Sequence, residues 1–183
     1  MEHDAQSGFP PVETTLKDGR TIILRLITPE DGEAVGDFYD SLPRATWRFY
    51  CPPRLTRADA AEKAALAASP TEVCLVSEDP ANGEIAGYAW YRWKDDTSRT
   101  SVFGICLREG YRGARLGQAL MTRLLEIAES VGPPVMELTV QLSNPRAVAL
   151  YTKMGFRIVA EQMRPRVGDF PAEPEYAMER AVG

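Results

Sequence analysis

The feature that most constrains this chain is an apolar segment that passes through a glycine-containing turn directly into an amphipathic helix. The stretch reads ICLREGYRGARLGQALMTRLL, over residues 105–125. Its first part is typical of a strand, predicted over residues 100–108, and the helix is predicted over residues 115–131. The helix prediction depends on apolar residues at helical spacing, which are Leu116, Leu120, Leu124, Ile127 and Val131.

The turn between this strand and this helix is a candidate anion site. Backbone N–H groups at a helix start lack intrahelical acceptors and carry the positive end of the helix dipole, which favours a phosphate or pyrophosphate. Arg112 and Arg115 add positive charge at the same place. The spacing fits an ordinary strand–helix turn equally well. It contains neither G-x-x-x-x-G-K-S/T nor G-x-G-x-x-G, the patterns of two common nucleotide-binding loops.

The other segments complete a mixed α/β order, β-α-α-β-β-β-α-β-α-β-β, in which one strand–helix–strand unit of the second half is predicted to pair in parallel. Residues 1–15 are predicted to be a flexible tail and residues 16–183 a single domain. Strand patterns cover residues 20–27, 72–77, 84–93, 100–108, 135–142, 156–162 and 175–181. Helix patterns cover residues 29–43, 56–66, 115–131 and 144–154.

Composition limits the chemistry that the chain supports. A net charge of −5 disfavours nucleic acid and anionic membranes as partners. The one histidine, His3, lies in the predicted tail, which nearly excludes histidine-based mechanisms. Cys51, Cys74 and Cys106 show no C-x-x-C spacing, so neither a zinc ribbon nor a disulfide framework is expected. With no membrane-span or signal-peptide pattern, we expect a cytoplasmic protein with reduced thiols and no metal.

A second informative stretch, SNPRAVALYTKMGF, covers residues 143–156 and follows the next predicted strand. Its spacing places Ala147, Leu150, Tyr151 and Met154 along one side of a short helix. By itself this pattern favours Tyr151 as a core aromatic residue over a catalytic acid.

In this order and spacing, the two stretches resemble the GNAT-type, acetyl-CoA-dependent N-acetyltransferases. The first matches the family's Q/R-x-x-G-x-G/A turn at Arg112 and Gly117. The second matches its N-x-x-A/S-x-x-x-Y-x-K/R-x-G-F segment at Asn144, Ala147, Tyr151, Lys153, Gly155 and Phe156. The resemblance covers residues 16–181 and departs from the family at Arg115, where glycine is usual. We expect helical backbone angles at Arg115, which would leave its amide available and turn its side chain towards the CoA phosphates.

The resemblance implies a GNAT-like fold, with a central, mostly antiparallel sheet splayed around a CoA-binding cleft and flanked by about four helices. It also implies direct transfer of an acetyl group from acetyl-CoA to a primary amine in a ternary complex. Tyr151 would be the general acid for the leaving thiolate. The residues implied to contact the co-substrate are Ile105, Cys106, Leu107, Arg112, Gly113, Ala114, Arg115, Leu116, Gly117, Gln118, Asn144, Ala147, Tyr151 and Lys153.

The general base and the acceptor stay open at this stage. Many relatives carry a glutamate at the position of Val102. The possible substitutes for that acid are a water chain, Glu137, Asp95, Asp96 and Glu109. The acceptor is a small molecule or a protein amine, and residues 47–50 belong to the region where this fold commonly shapes its acceptor site.

Two other functions are also compatible with the sequence. A catalytically silent CoA-binding regulatory or interaction module is favoured by Arg115 and by the missing acid at Val102. A nucleotide-binding protein would bind phosphate with no preference for pantetheine. The late strands also suggest a homodimer.

Overall fold

The computed structural model describes residues 8–50 and 55–183, so the predictions for His3 and Cys51 lie outside the described residues. The strands are β1 (Val12–Thr15), β2 (Thr21–Leu26), β3 (Glu72–Asp79), β4 (Glu84–Arg92), β5 (Thr100–Leu107), β6 (Val135–Gln141), β7 (Arg157–Arg164) and β8 (Glu173–Ala181). The α-helices are α1 (Gly32–Asp40), α2 (Arg44–Trp47), α3 (Arg57–Ala65), α4 (Leu116–Ala128) and α5 (Pro145–Lys153). Short 3₁₀ helices cover Pro29–Asp31 and Glu109–Tyr111.

These strands form one sheet in the order β1-β2-β3-β4-β5-β6-β8-β7. Neighbouring strands are antiparallel, except that β5 and β6 run parallel. The parallel pairing joins Thr100–Val102 to Val135–Glu137, and beyond these residues β5 and β6 are no longer paired. The predicted mixed α/β fold is confirmed, with its mostly antiparallel sheet and its parallel strand–helix–strand unit.

Two short elements differ from the sequence prediction. Residues 12–15, predicted as part of the flexible tail, form β1 and pair antiparallel with β2. Their sequence, VETT, has no apolar alternation, so the neighbouring β2 and not a local pattern determines this strand. The ordered structure therefore extends before residue 16, the predicted boundary. The other addition is α2, a single helical turn at Arg44–Trp47.

The sheet separates two hydrophobic cores. Buried residues of α4, such as Leu120 and Leu124, pack on one face together with Tyr91 of β4. Buried residues of α1 and α3, such as Phe38, pack on the other face together with Tyr88. The aromatic residues of β4 thus alternate between the two faces of the sheet, as the period of a strand requires.

The described helices are short. The longest of them, α4, has 13 residues, which is about 20 Å at 1.5 Å per residue. None of the described helices is long and apolar enough to cross a membrane.

Candidate active site

The separation of β5 from β6 opens a cavity of about 220 Å³, which we call the central cleft. Its walls come from α1, α3, the α2–α3 connection, four central strands and α5. Residues that line it include Tyr50, Lys63, Trp90, Gly104, Thr139 and Tyr151. Phe49 and Tyr50, from the region expected to shape the acceptor site, border this cleft.

The turn before α4 holds a run of free backbone donors, which we call the amide loop (residues 113–118). The N–H groups of these six residues donate to no backbone or side-chain acceptor within the described part of the chain. Gly113 has a φ of 81°, and a Cβ built there would meet nothing within 4 Å. Free N–H groups in a turn that precedes a helix form a concave site for an anion.

Arg115 does not have the backbone angles predicted from the sequence. Its φ of 69° and ψ of 12° lie in the left-handed region, and α4 begins at the next residue. It is the one non-glycine residue with positive φ among those described, at a cost of about 1–2 kcal/mol. The prediction of helical angles is therefore wrong, because the turn closes through the conformation that glycine adopts most easily. Its amide is nevertheless free, as expected.

The Arg115 side chain lines a groove of about 330 Å³ between β1 and α4, together with Lys17 and Arg123. The lining also contains Glu126, which pairs with Arg123. Contact of the Arg115 guanidinium with CoA phosphates stays a prediction.

The β1–β2 turn supports the amide loop through long-range contacts. The backbone N–H of Lys17 donates to the carbonyl of Ala114 at 3.0 Å. The Arg20 guanidinium donates to the carbonyl of Gly110 at 2.8 Å and lies over the Tyr111 ring. The sequence of the turn alone does not predict these contacts, because the residues that make them are far apart in the sequence.

The two sequence motifs meet between α4 and α5. A Cβ on Gly117 would lie 3.1 Å from Leu150 and 3.2 Å from Leu107, so the glycine allows α4 to pack closely against α5 and β5. Lys153 donates to the Gln118 side chain at 2.8 Å. The structure therefore brings together residues from both predicted co-substrate segments.

Tyr151 is packed as a core aromatic residue and also lines the central cleft. Its ring packs edge-on against Phe103 and also contacts Phe156, and only 8% of the residue is exposed. Its hydroxyl has no hydrogen-bond partner among the described residues, and the side chain lines the central cleft. Burial raises the pKa of Tyr151, so the phenol keeps its proton at neutral pH. A protonated, unpaired hydroxyl in a cleft is suited to donate a proton.

Cys106 is buried beside the same cleft, close to Tyr50. Burial raises the pKa of Cys106 to about 12, so the thiol is protonated at neutral pH. The interpretation of Cys106 as a core residue rather than a nucleophile agrees with this environment.

Asn144 begins α5, where its Oδ1 accepts a hydrogen bond from the Ala147 backbone N–H at 3.3 Å. This bond satisfies a donor of the first helical turn. Ala147 packs against the core that contains α4. A contact of Asn144 with the pantetheine arm stays a prediction.

The predicted base candidates do not line the central cleft. Glu137 lies opposite Val102 on one side and Glu179 on the other, where β5 and β6 are still paired. The Asp95 carboxylate accepts hydrogen bonds from the backbone and side chain of Thr97, which lower the pKa of Asp95.

The carboxylates that do line the cleft are Asp59, Glu62 and Glu72. Sequence reasoning missed them. Glu72 forms an ion pair with Lys63, and both side chains are largely buried. The two residues lie on different elements, and no local spacing signals their contact.

Comparison with known proteins agrees with this geometry. The acetyltransferase (GNAT) family matches residues 38–156, and the chain belongs to this family. It is 33% identical over 97 residues to the L-methionine sulfoximine/L-methionine sulfone acetyltransferase of Pseudomonas aeruginosa, covering 51% of this chain and 55% of that protein. It is 31% identical over 97 residues to the L-amino acid N-acyltransferase MnaT of Escherichia coli, covering 51% of this chain and 54% of that protein. The chain spans about half the length of these curated relatives.

Solved structures resemble the fold over most of the chain. An acetyltransferase of the GNAT family from Streptococcus pneumoniae aligns with a TM-score of 0.75 at 23% identity, covering 88% of this chain and 99% of that one. The structure of yncA from Salmonella typhimurium with its cofactor acetyl-CoA aligns with a TM-score of 0.74 at 20% identity, covering 88% and 94%. The predicted family and fold are confirmed.

Proposed function

We propose that the chain transfers an acetyl group from acetyl-CoA directly to a primary amine. The observation that carries this proposal is the placement of two features around the gap between β5 and β6. The amide loop offers six free N–H donors where β5 leads into α4, and Tyr151 presents a free hydroxyl to the central cleft. A diphosphate fits the first feature and a reacting thioester the second.

The residues of this chain fit acetyl-CoA along the whole gap. The amide loop would hold the diphosphate through backbone N–H groups, with Arg112 and Arg115 adding charge. The edge of β5 at Ile105, Cys106 and Leu107 has no partner strand on the β6 side and would pair with the pantetheine amides. Asn144, Ala147 and the Gln118–Lys153 pair would border the arm and the phosphates.

Acetyl-CoA, when bound, supplies the acetyl group as a thioester. The reaction forms a bond between the acceptor nitrogen and the acetyl carbon and breaks the carbon–sulfur bond. Tyr151 would give its proton to the departing sulfur and regain one from solvent. An amide of β5 near Ile105 would donate to the carbonyl oxygen as negative charge develops there.

The attacking nitrogen must lose a proton, and Glu137 is the proposed acceptor. Glu137 lies on the same face of β6 as Thr139, which lines the central cleft. Two residues along a strand span about 7 Å, so water would carry the proton across this gap. A water chain to bulk solvent is the other route, and Glu137→Gln distinguishes them because only the first route needs the carboxylate.

A homodimer through the late strands is also proposed. The edge strand β7 exposes Ile158, Val159 and Met163 by half or more of their surface. An exposed apolar edge strand is a template for pairing with another strand. Sedimentation of the protein over a range of concentrations tests this proposal, and a monomer at all of them would contradict it.

Thiol release tests the function most directly. The protein is incubated with acetyl-CoA and a panel of polyamines, amino acids, amino sugars and peptides, and free thiol is followed with an aromatic disulfide reagent. We expect release that depends on one acceptor class and a product heavier by one acetyl group. If the protein binds CoA but releases no free thiol with any of the amines, the result would support the catalytically silent module. Equal calorimetric affinity for CoA and ADP would support the nucleotide-binding alternative.

A further inference from the structure

The ring of Trp90 lines the central cleft, and a glycine on the neighbouring strand leaves room for it. Trp90 of β4 lies opposite Gly104 of β5 in the sheet register. A Cβ on Gly104 would lie 2.6 Å from two atoms of the indole ring, which is closer than real contacts allow. The ring therefore occupies the space that a side chain at position 104 would take, next to Ile105, where the proposed thioester carbonyl would bind.

Two cations flank this ring. The Lys63 ammonium lies 5.0 Å from the ring centroid, and the Arg92 guanidinium carbon lies 4.7 Å from it. Both distances suit a cation–π interaction. Two positive charges thus lie next to the Trp90 ring in the lining of the central cleft.

The two cations differ in their partners. Lys63 is paired with Glu72, and 14% and 8% of these two side chains are exposed. Arg92 lies opposite Glu72 in the register of β3 and β4, but it forms no ion pair with a carboxylate in the described parts of the chain. The other carboxylates of the cleft, Asp59 and Glu62, also have partners. Arg92 is therefore a cation available to a ligand, with five N–H donors in a planar arrangement that matches a carboxylate.

The position of Arg92 relates a bound anion to the proposed thioester site. Arg92 pairs with Val102, two residues from the Trp90–Gly104 pair, which is about 7 Å along the strand. Its guanidinium carbon lies 4.7 Å from the centroid of the Trp90 ring, and that ring lies against Gly104. An anion bound to Arg92 would therefore lie on the Trp90 side of the cleft, as the proposed thioester carbonyl does.

We propose that the acceptor is an α-amino acid and that Arg92 binds its carboxylate. This inference depends on the proposed acetyl transfer. An α-amino acid separates its nitrogen from its carboxylate by one carbon, so the carboxylate could contact Arg92 while the nitrogen lies near Ile105, and both groups would lie beside the Trp90 ring. The lining of the cleft also contains Phe49, Leu55 and Leu66, which could contact an apolar side chain of the acceptor.

The test compares L-leucine with L-leucinamide, which keeps the side chain and the amine but lacks the carboxylate. We expect Arg92→Gln to lower kcat/KM for leucine by about 10- to 100-fold, the scale of a lost charge-assisted hydrogen-bond pair. The value for leucinamide should change by less than about twofold, since it never made this contact. Arg92→Lys keeps the charge and should restore part of the activity towards leucine.

Arg99→Gln is the matched control, because Arg99 is an exposed arginine just before β5 and outside the cleft lining. It should leave both substrates unaffected. Equal losses for leucine and leucinamide in Arg92→Gln, or equal use of both by the parent protein, would overturn the proposal. A preference for polyamines would do so as well. Absence of transfer to every amine in the panel would instead contradict the proposed function.

A measurement on the parent protein needs no variant. 4-Methylpentanoate is leucine without its amine, and 4-methylpentanamide is its uncharged counterpart. In the presence of CoA, calorimetry should show binding of the acid at least about tenfold tighter than binding of the amide. Equal binding of both, or of neither, would show that the cleft holds no carboxylate site.

Discussion

The amide loop takes its donors from one continuous stretch of chain, whereas the central cleft assembles its side chains from elements far apart in the sequence. Residues 113–118 present their N–H groups because they precede α4 and have no acceptors there. Trp90 and Gly104 face each other because β4 and β5 pair in one particular register. The first region is a property of backbone geometry, and the second is a property of side-chain packing.

Because of this difference, substitutions in the two regions are expected to affect different properties of the protein. Changes in the amide loop should alter CoA binding through backbone donors and leave the acceptor alone. Changes in the cleft should alter turnover or acceptor use and leave CoA binding alone. A variant that affects both regions equally would show that the two are one cooperative unit.

The largest effect is expected for Tyr151→Phe. The substitution keeps the ring and its contacts with Phe103 and Phe156 but removes the hydroxyl. We expect kcat to fall by about 100-fold, the lower end of the range for general acid catalysis, because a thiolate is a fairly good leaving group. Steady-state kinetics and calorimetry measure kcat and the CoA affinity, and the affinity should not change.

Tyr91→Phe is the control for this prediction. Tyr91 is also buried, but its hydroxyl donates to the carbonyl of Val131, just after α4, and Tyr91 does not line the central cleft. Its loss should lower stability by about 1 kcal/mol and leave kcat unchanged. The loss in Tyr151→Phe should also shrink with a thioester of a more acidic thiol. If kcat is unchanged in Tyr151→Phe, water protonates the leaving group.

The next effect concerns Gly113→Pro in the amide loop. Proline removes one donor and requires a φ near −65°, whereas Gly113 has a φ of 81°. We expect CoA to bind about 10- to 100-fold more weakly, the scale of a lost hydrogen bond to a charged group. At saturating CoA, the acceptor KM should equal that of the parent.

Gly113→Ala is the matched control, because it keeps the N–H and its Cβ meets nothing within 4 Å. It carries the strain of a positive φ, about 1–2 kcal/mol, so it should lose stability rather than a donor. CoA affinity in Gly113→Pro that equals the parent's would show that the loop does not hold the phosphates.

A smaller effect is expected for Gly104→Ala in the central cleft. The added Cβ collides with the Trp90 ring at 2.6 Å and forces the ring to move. Overpacking of this kind costs about 1–3 kcal/mol, which thermal or denaturant unfolding measures. The acceptor KM should rise as well, with CoA affinity unchanged. Gly110→Ala, where a Cβ meets nothing within 4 Å, should show neither change. A Gly104→Ala variant as stable as the parent would mean that Trp90 is free to move.

The smallest effect is expected for Arg115→Gly. Glycine relieves the left-handed strain of Arg115 but adds freedom to the unfolded chain, and the two effects partly cancel. We expect stability to rise by no more than about 1 kcal/mol. Arg112→Gly is the contrast, because Arg112 has an ordinary φ of −71° and should lose stability. A loss of stability in Arg115→Gly would show that the arginine side chain stabilises the turn by more than the strain it carries.

Local sequence patterns predict most of the fold and the amide loop. The stripe of Leu116, Leu120 and Leu124 is buried as its spacing predicts, and Asn144 begins α5 as its residue type predicts. Such features depend on residues within a few positions of one another, so a single stretch of sequence contains the information. The order of the elements follows from the same patterns, apart from β1 and α2.

The amino-acid sequence by itself thus determined the elements other than β1 and α2, and the free donors before α4. Only the tertiary structure decided the left-handed conformation of Arg115, which belongs to a turn held by Lys17 from the β1–β2 connection. It also decided that Lys63 pairs with Glu72 and leaves Arg92 free over Trp90. These contacts join residues from separate strands and helices. Their geometry depends on strand register and helix packing, which no local spacing specifies.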